Sequence, residues 1–271
     1  MGVFMTPKER IDSVLDGGTN IPSVPIISPY FLNLSLNKDK ELFNFHLNLY
    51  ERYKPDLITL IHENVSLEIE TLKILGRKIK DTYITVALDC PISYLSAIDD
   101  NFMINLYLKK EEIHSKMDNY VEYLKENIGI IIENEGIPFL GDPTAPFIGP
   151  KMYEEFGIPY LKKIFRFIKS YGAPVFLHIC GELTPIIDQL KKLDIDVLSF
   201  EDSLGVVGAL DCVLMGNIKP KDMLNDCIDS KINQVIKNKG KQHIIATGCE
   251  LLPNTPEKNI IKLINSRVDY D

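Results

Sequence analysis

The chain has no tryptophan and no uninterrupted apolar stretch of the roughly 18 residues that a transmembrane helix requires. No membrane span is therefore expected. The opening segment, Met1 to Arg10, lacks the basic-then-apolar order of a secretory signal, and the expected location is cytoplasmic. Basic runs are also missing: 30 Lys and Arg stand against 38 Asp and Glu, for a net charge of −8. That balance argues against nucleic acid or an anionic membrane surface as a partner. Cysteine is sparse and odd in number, five in 271 residues, so the cysteines cannot all pair within the chain. In a reducing compartment, thiols or metal ligands are favoured over disulfides.

What is present describes a globular α/β chain. Hydrophobic residues reach 45% and charged residues 25%, enough to build a large core without staples. Eight short runs rich in Val, Ile, Leu and Phe recur: Val24–Ser28, Leu57–Ile61, Ile84–Leu88, Ile137–Gly141, Pro174–His178, Asp196–Phe200, Cys212–Gly216 and His243–Thr247. Strands buried on both faces read this way. Helical patterns lie between them. Glu111–Glu135 carries Ile113, Met117, Tyr120, Val121 and Leu124 on one face, and Tyr153–Tyr171 follows a start signal at Pro150. Thr184 and Pro185 open a run to Leu193, and Pro220 opens one to Lys239. Thr255, as N-cap, and Pro256, at the first helical position, open the last helix. Eight strands alternating with helices predict a single (β/α)8 TIM barrel over residues 1–271, somewhat abbreviated near Ser203–Asp211, with Thr6–Asp16 as a helix across its bottom. A doubly wound open sheet is the rival. The barrel is preferred because the last strand–helix unit runs straight into the chain end.

In such a barrel the chemistry sits where strands end and βα loops begin. Strand 4 runs into Asp142, strand 5 into His178-Ile-Cys180, strand 6 into Glu201-Asp202, strand 7 into Asn217 and strand 8 into Gly248-Cys249-Glu250. His178 and Cys180 are two apart, so in extended chain they share a side, and Cys249 arrives from a different strand end. Imidazole and thiolates suit zinc, and three protein ligands leave a fourth position for substrate. The competing reading makes the cysteines small buried hydrophobes. That reading fits Cys212, at the start of strand 7, and Cys227, in a helix; Cys90, after strand 3, is a reserve ligand.

The segment His178-Ile-Cys-Gly, the pair Gly248-Cys249 and the phrase Leu251-Leu-Pro-Asn-Thr-Pro-Glu-Lys-Asn259 resemble the uroporphyrinogen decarboxylase superfamily, above all its cobamide-dependent methyltransferase branch. Met5-Thr-Pro-Lys-Glu-Arg10, Gly141-Asp-Pro143, Pro150-Lys-Met-Tyr-Glu-Glu-Phe156 and Gly216-Asn-Ile-Lys-Pro220 support it. The likeness is strong from Gly141 onward and thin from Ile21 to Asn134. It implies zinc on His178, Cys180 and Cys249, a corrinoid carried by a partner protein, and a thiol such as coenzyme M as methyl acceptor. The stretch His178–Glu201 also resembles the zinc segment of cobalamin-independent methionine synthase, which makes Glu201 a candidate fourth ligand. As catalytic residues, Asp142 at the end of strand 4 is expected to orient substrate or accept a hydrogen bond, against an N-cap or loop-bracing role, and Glu201 to leave the metal as substrate sulfur arrives, against simple acceptance of loop amide hydrogen bonds. Other members of the branch move methyl from a methylated substrate, such as a methoxylated aromatic, onto the corrinoid. A metal-free decarboxylase or lyase, and a non-catalytic zinc or corrinoid-partner-binding protein, are the rival readings. This chain departs from its relatives in being shorter and in having no arginine in Ser28–Lys38, where true uroporphyrinogen decarboxylases grip carboxylates. Decarboxylation of uroporphyrinogen is therefore not expected.

Overall fold

The computed structural model describes residues 5–29, 34, 36, 38–201 and 204–269. Eight parallel strands follow one another around a nearly closed barrel: β1 (Ser23–Val24), β2 (Leu57–Leu60), β3 (Tyr83–Asp89), β4 (Ile137–Gly141), β5 (Phe176–Ile179), β6 (Val197–Phe200), β7 (Val213–Ile218) and β8 (His243–Thr247). Hydrogen-bonded neighbours run in the order β1-β8-β7-β6-β5-β4-β3-β2. At the seam between β1 and β2 a side chain supplements one long backbone bond: the Ser23 N–H donates to Asp56 Oδ2 at 2.7 Å, and the Asp56 N–H to the Ser23 carbonyl at 3.4 Å. The expected TIM-barrel fold is therefore observed, with β4 and β8 at their expected bounds. β3 and β7 run on to Asp89 and Ile218. β1 is shorter than the expected Val24–Ser28, because Ile26 turns to other partners. Its N–H donates to Thr247 Oγ1 at 2.9 Å, and its carbonyl accepts from the Leu251 N–H at 2.9 Å.

Helix α1 (Pro7–Leu15) closes the bottom. Thr6 caps it in a reciprocal capping box with Glu9, and Ile11 and Val14 push into the barrel end. Between β1 and β4 the chain adds α2 (Asp39–Tyr53), α3 (Val65–Lys78), α4 (Pro91–Ile98), α5 (Phe102–Leu108) and α6 (Lys110–Glu133). The expected helix Tyr153–Tyr171 is broken into α7 (Ala145–Phe156) and α8 (Ile158–Ser170). Pro159, in the first turn of α8, has no N–H to continue a preceding helix. Gly149, at φ 75°, kinks α7 just before Pro150, so the start signal read there marks a real change of direction. After β5 come a 3-10 turn, Thr184–Ile186, and the single turn α9 (Ile187–Leu190). The β6–β7 crossover carries only a 3-10 turn at Leu204–Val206; Asp202 and Ser203 lie outside the described residues. α10 (Ile228–Lys237) starts later than Pro220, with Cys227 at its N-cap position rather than inside it. The last helix, α11 (Glu257–Ile264), corrects another expectation. Pro256, not Thr255, holds the N-cap position, and the Thr255 hydroxyl donates to the Leu252 carbonyl at 2.8 Å.

Strand alternation divides the core. Ile137, Phe139, Phe176, Val197, Val213, Met215, Ile244 and Ala246 fill the barrel interior with α1, while Leu140, Leu177, Ile179 and Leu198 face the helices. Each of these Val, Leu, Ile, Phe and Met side chains contributes about 1.5–3 kcal/mol when fully buried, so the barrel has ample core of its own. Among the described residues no helix is long and apolar enough to cross a membrane.

Candidate metal centre

The same alternation places the chemistry. Phe176 points inward, so His178 does too, and Cys180 follows on that side just past the strand. Cys249 comes from β8 through Gly248, where a Cβ would lie 2.6 Å from the Glu201 Cα. Only glycine permits that approach, which explains a Gly-Cys pair at this strand end. Gly181, at φ +76°, turns the chain away after Cys180.

The ligand atoms of His178, Cys180 and Cys249 all lie within 4.8 Å of one another. His178 Nε2 is 3.0 Å from Cys180 Sγ, and the two sulfurs are 3.9 Å apart. Two thiolates on a tetrahedral zinc, each about 2.3 Å from the ion, stand about 3.8 Å apart, so the observed sulfur pair already has the spacing of a zinc site. All three side chains are half-buried. The pair shares its protons unevenly. A hydrogen bond from Cys180 pulls Cys249 well below the ordinary thiol range against the cost of burial, with help from His178 and the Glu250 N–H. Cys180, the donor in that bond, is pushed up. Concentrated thiolate character at one sulfur is what a borderline-soft cation seeks. The other ring nitrogen, His178 Nδ1, sits 3.0 Å from Ser199 Oγ. Such a partner fixes the ring of a ligating histidine. Ser199 was missed by sequence reading, although it is a lone hydroxyl in the apolar run Val197–Phe200, and register sets it beside His178.

The remaining candidates are placed differently. The Glu201 carboxylate is not among the atoms gathered within 4.8 Å, although its charge contributes to raising Cys180. Asp142 is completely buried: Ser93 Oγ donates to its Oδ1 at 2.8 Å and the Tyr153 hydroxyl to its Oδ2 at 3.0 Å. Burial, offset by those two bonds, pushes Asp142 up to about 6. Its backbone N–H donates to the His178 carbonyl at 2.8 Å, so it braces the ligand strand from behind. Cys90 is buried at the N-cap position of α4, away from the trio, and burial raises its thiol. Cys212 stands just before β7, half-buried, pushed up to about 11 mainly by burial. Cys227 is exposed.

A cleft of about 1140 Å³ opens beside the trio, lined among others by Asp89, Tyr94, Tyr120, Gly141 and Glu250. Gly141 pairs in register with His178, and Glu250 follows Cys249 directly, so the cleft and the metal centre share a wall.

Comparison with known proteins identifies the family and the fold. The family model described as uroporphyrinogen decarboxylase (URO-D) matches residues 44–270. A methylcobamide:CoM methyltransferase MtbA from Methanosarcina acetivorans is 25% identical over 235 residues, covering 82% of this chain and 69% of that protein. A uroporphyrinogen decarboxylase from Prochlorococcus marinus is 25% identical over 164 residues, 56% of this chain and 46% of its own length. The chain thus spans from about half to about two thirds of the length of these curated relatives. A methyltransferase structure from Methanosarcina mazei superposes with a TM-score of 0.81 at 18% identity, covering 97% of this chain and 98% of that one. A dihydrodipicolinate synthase from Rhodopseudomonas palustris superposes less closely, with a TM-score of 0.52 at 10% identity, covering 98% and 78%.

Proposed function

This chain belongs to the uroporphyrinogen decarboxylase (URO-D) family, and on that premise we propose that it is a zinc-dependent methyltransferase working between a corrinoid on a partner protein and a small thiol. The observation that carries the reading is the gathering of one imidazole and two sulfurs within 4.8 Å at the C-terminal mouth of the barrel, where barrel enzymes keep their chemistry. Zinc bound there would supply a deprotonated, fixed thiolate from the substrate. His178, Cys180 and Cys249 would hold the ion, Ser199 would orient the imidazole, and Asp142 would brace β5 through the His178 carbonyl. Glu201, close enough for its charge to raise Cys180, is the candidate to complete the ligand set and withdraw when substrate sulfur arrives. The corrinoid would supply the methyl group and keep the electron pair of the broken bond, and the substrate sulfur held beside His178, Cys180 and Cys249 would accept the methyl.

The exposed apolar residues of α5, Met103, Ile104, Tyr107 and Leu108, continue through Ile98 into the rim of the cleft. An exposed patch of this kind is a surface for a protein to cover, and the corrinoid-bearing partner would dock there. A cytoplasmic site of action suits ligands that must stay reduced. Uroporphyrinogen decarboxylation is disfavoured by the absence of arginine from residues 28–38.

The test is metal analysis of the full chain together with loss of methyl–cobalt absorbance from methylcobalamin across a thiol panel. A parallel run with a methoxylated aromatic and cob(I)alamin reads the opposite direction. Zinc near one per chain and thiol-dependent demethylation are expected. A metal-free protein after zinc-replete expression would overturn the reading.

A further inference from the structure

The wall of the cleft says what charge the substrate carries. Three carboxylates line it, Glu63, Asp89 and Glu250, and among the described lining residues there is no lysine or arginine. Residues 28–37, four of which contribute to that wall, contain no basic residue in the sequence either. Aromatic faces complete the wall. Tyr94 and Tyr120 stack at 3.8 Å with an interplanar angle of 2°, and Tyr123 lies 5.6 Å from Tyr120. Behind His62 and Asp89 stands Glu68, with no exposed surface and neither carboxylate oxygen in a hydrogen bond of ordinary geometry. The His62 N–H and the charge of Asp89, both belonging to cleft-lining residues, are the polar features it meets.

We propose that the small-molecule substrate bears a positively charged nitrogen and that Asp89 receives it at a wall shared with Tyr94 and Tyr120. This deepens, and rests on, the methyl-transfer reading above. The register supplies the geometry. Asp89 pairs with Gly141, and Gly141 pairs with His178. Asp89 and His178 are thus two strand spacings apart, about 10 Å between Cα atoms. The residue between them has no side chain, so a thiol with its nitrogen a few carbons from sulfur can reach both. Asp89 is exposed at the cleft wall, the protein around it still disfavours its charge, and among the described lining residues no cationic side chain offsets that cost; a bound ammonium would. Aromatic faces attract such cations as well. An anionic tail, such as the sulfonate of coenzyme M, would instead meet three carboxylates, the exposed Glu63 and Asp89 and the half-buried Glu250, and be repelled by them.

The experiment compares affinities on the full, metal-loaded chain. Cobalt(II) replaces zinc so that its visible bands report arrival of sulfur at the metal. Three matched thiols are titrated: 2-aminoethanethiol, 2-mercaptoethanol and 2-mercaptoethanesulfonate. A sulfur-free pair, propyltrimethylammonium and propanesulfonate, is titrated by calorimetry. The expected order is cation, then neutral, then anion, with at least a ten-fold gap between the extremes and the same preference in the sulfur-free pair. Asp89→Asn should shrink that gap to a few-fold, whereas Glu155→Gln on the outer helices should leave it as it is. Gly141→Val should block the aminothiol from the cobalt while the sulfur-free cation still binds. Equal or tighter binding of the sulfonates, or a preference unchanged in folded Asp89→Asn, overturns the proposal. If no thiol shifts the cobalt bands while the sulfur-free cation still outbinds the sulfonate, the methyl-transfer reading fails and the charge proposal stands.

Discussion

The two ends of the barrel treat charge in opposite ways. At the bottom, charged groups are matched. Arg10, 4% exposed, pairs with the fully buried Asp56 and also donates to Asp269 at 3.0 Å and to the Met5 carbonyl at 3.0 Å. Tyr83 donates to Asp12 at 2.6 Å, and Lys169 reaches both Asp194 and Asp196. A hollow of about 900 Å³ lies there too, and four of the polar groups along it pair with one another, Tyr83 with Asp12 and Lys169 with Asp196. At the mouth, two thiols share protons unevenly, Asp89 has no cation beside it, and Glu68 is buried without a proper hydrogen bond. Matched charges close the bottom of this barrel, and unmatched ones gather at its mouth. Both ends are rich in polar groups, so satisfaction rather than polarity separates scaffold from site.

The sharpest way to break this contrast is to unmatch the bottom. Arg10→Ala leaves the buried Asp56 carboxylate with Arg267 at 3.4 Å and the Ser23 N–H and should cost up to about 3–5 kcal/mol of stability, the usual result of removing one partner of a buried pair. Urea denaturation reads it, and methyl transfer per folded molecule should survive. Equal loss of stability and of specific activity would show that the two ends are not separable. Next in size, Cys180→Ser or Cys249→Ser at the mouth should lower zinc occupancy and turnover by about 100-fold or more, since even residues supporting a ligand are worth 10–100-fold. Thermal stability should hardly move in either, and Cys227→Ser should change nothing. Unfolding of the Cys variants, or of wild type on mild chelation, would make the metal structural instead.

A smaller effect comes from a buried group that belongs to neither end. His46 on α2 has no exposed surface and, among the described residues, no hydrogen-bond partner for either ring nitrogen, and burial lowers it to about 3 from an ordinary 6.5. The unfolded chain therefore takes up the proton first. Stability that is complete above about pH 6.5 falls as the pH drops toward 3. By pH 5 this amounts to about 2 kcal/mol. His46→Leu should remove that decline, raising the melting temperature at pH 5 more than at pH 7.5; an equal gain at both would assign the cost to packing. The smallest expected change is Ser199→Ala, which removes the neighbour of His178 Nδ1 and should weaken zinc binding about ten-fold without altering the fold. Competition with a chelator of known affinity measures it.

Much of this architecture is written locally. Apolar runs such as Ile137–Gly141 and His243–Thr247 can only be buried strands, and Thr6, Pro7 and Glu9 announce α1 before any packing is known. His178, Cys180 and Cys249 stand out because metal-ligating side chains end two of those runs. Backbone and side-chain chemistry within a few residues suffices for such signals. Other features depend on distant parts of the chain and were illegible. The shortening of β1 follows from Thr247 and Leu251 claiming Ile26, and the seam is held by Asp56. Strand register alone put Ser199 beside His178 and drew Asp89, Gly141 and His178 into one row. Closing the barrel also enclosed Asp142, while the Glu201 carboxylate was left outside the 4.8 Å group. Residue types and their spacing determined which atoms could bind a metal. Which of them meet, and which stay buried or stand apart, was decided by the curvature and register of a sheet that brings residues 71 positions apart to within one ion's reach.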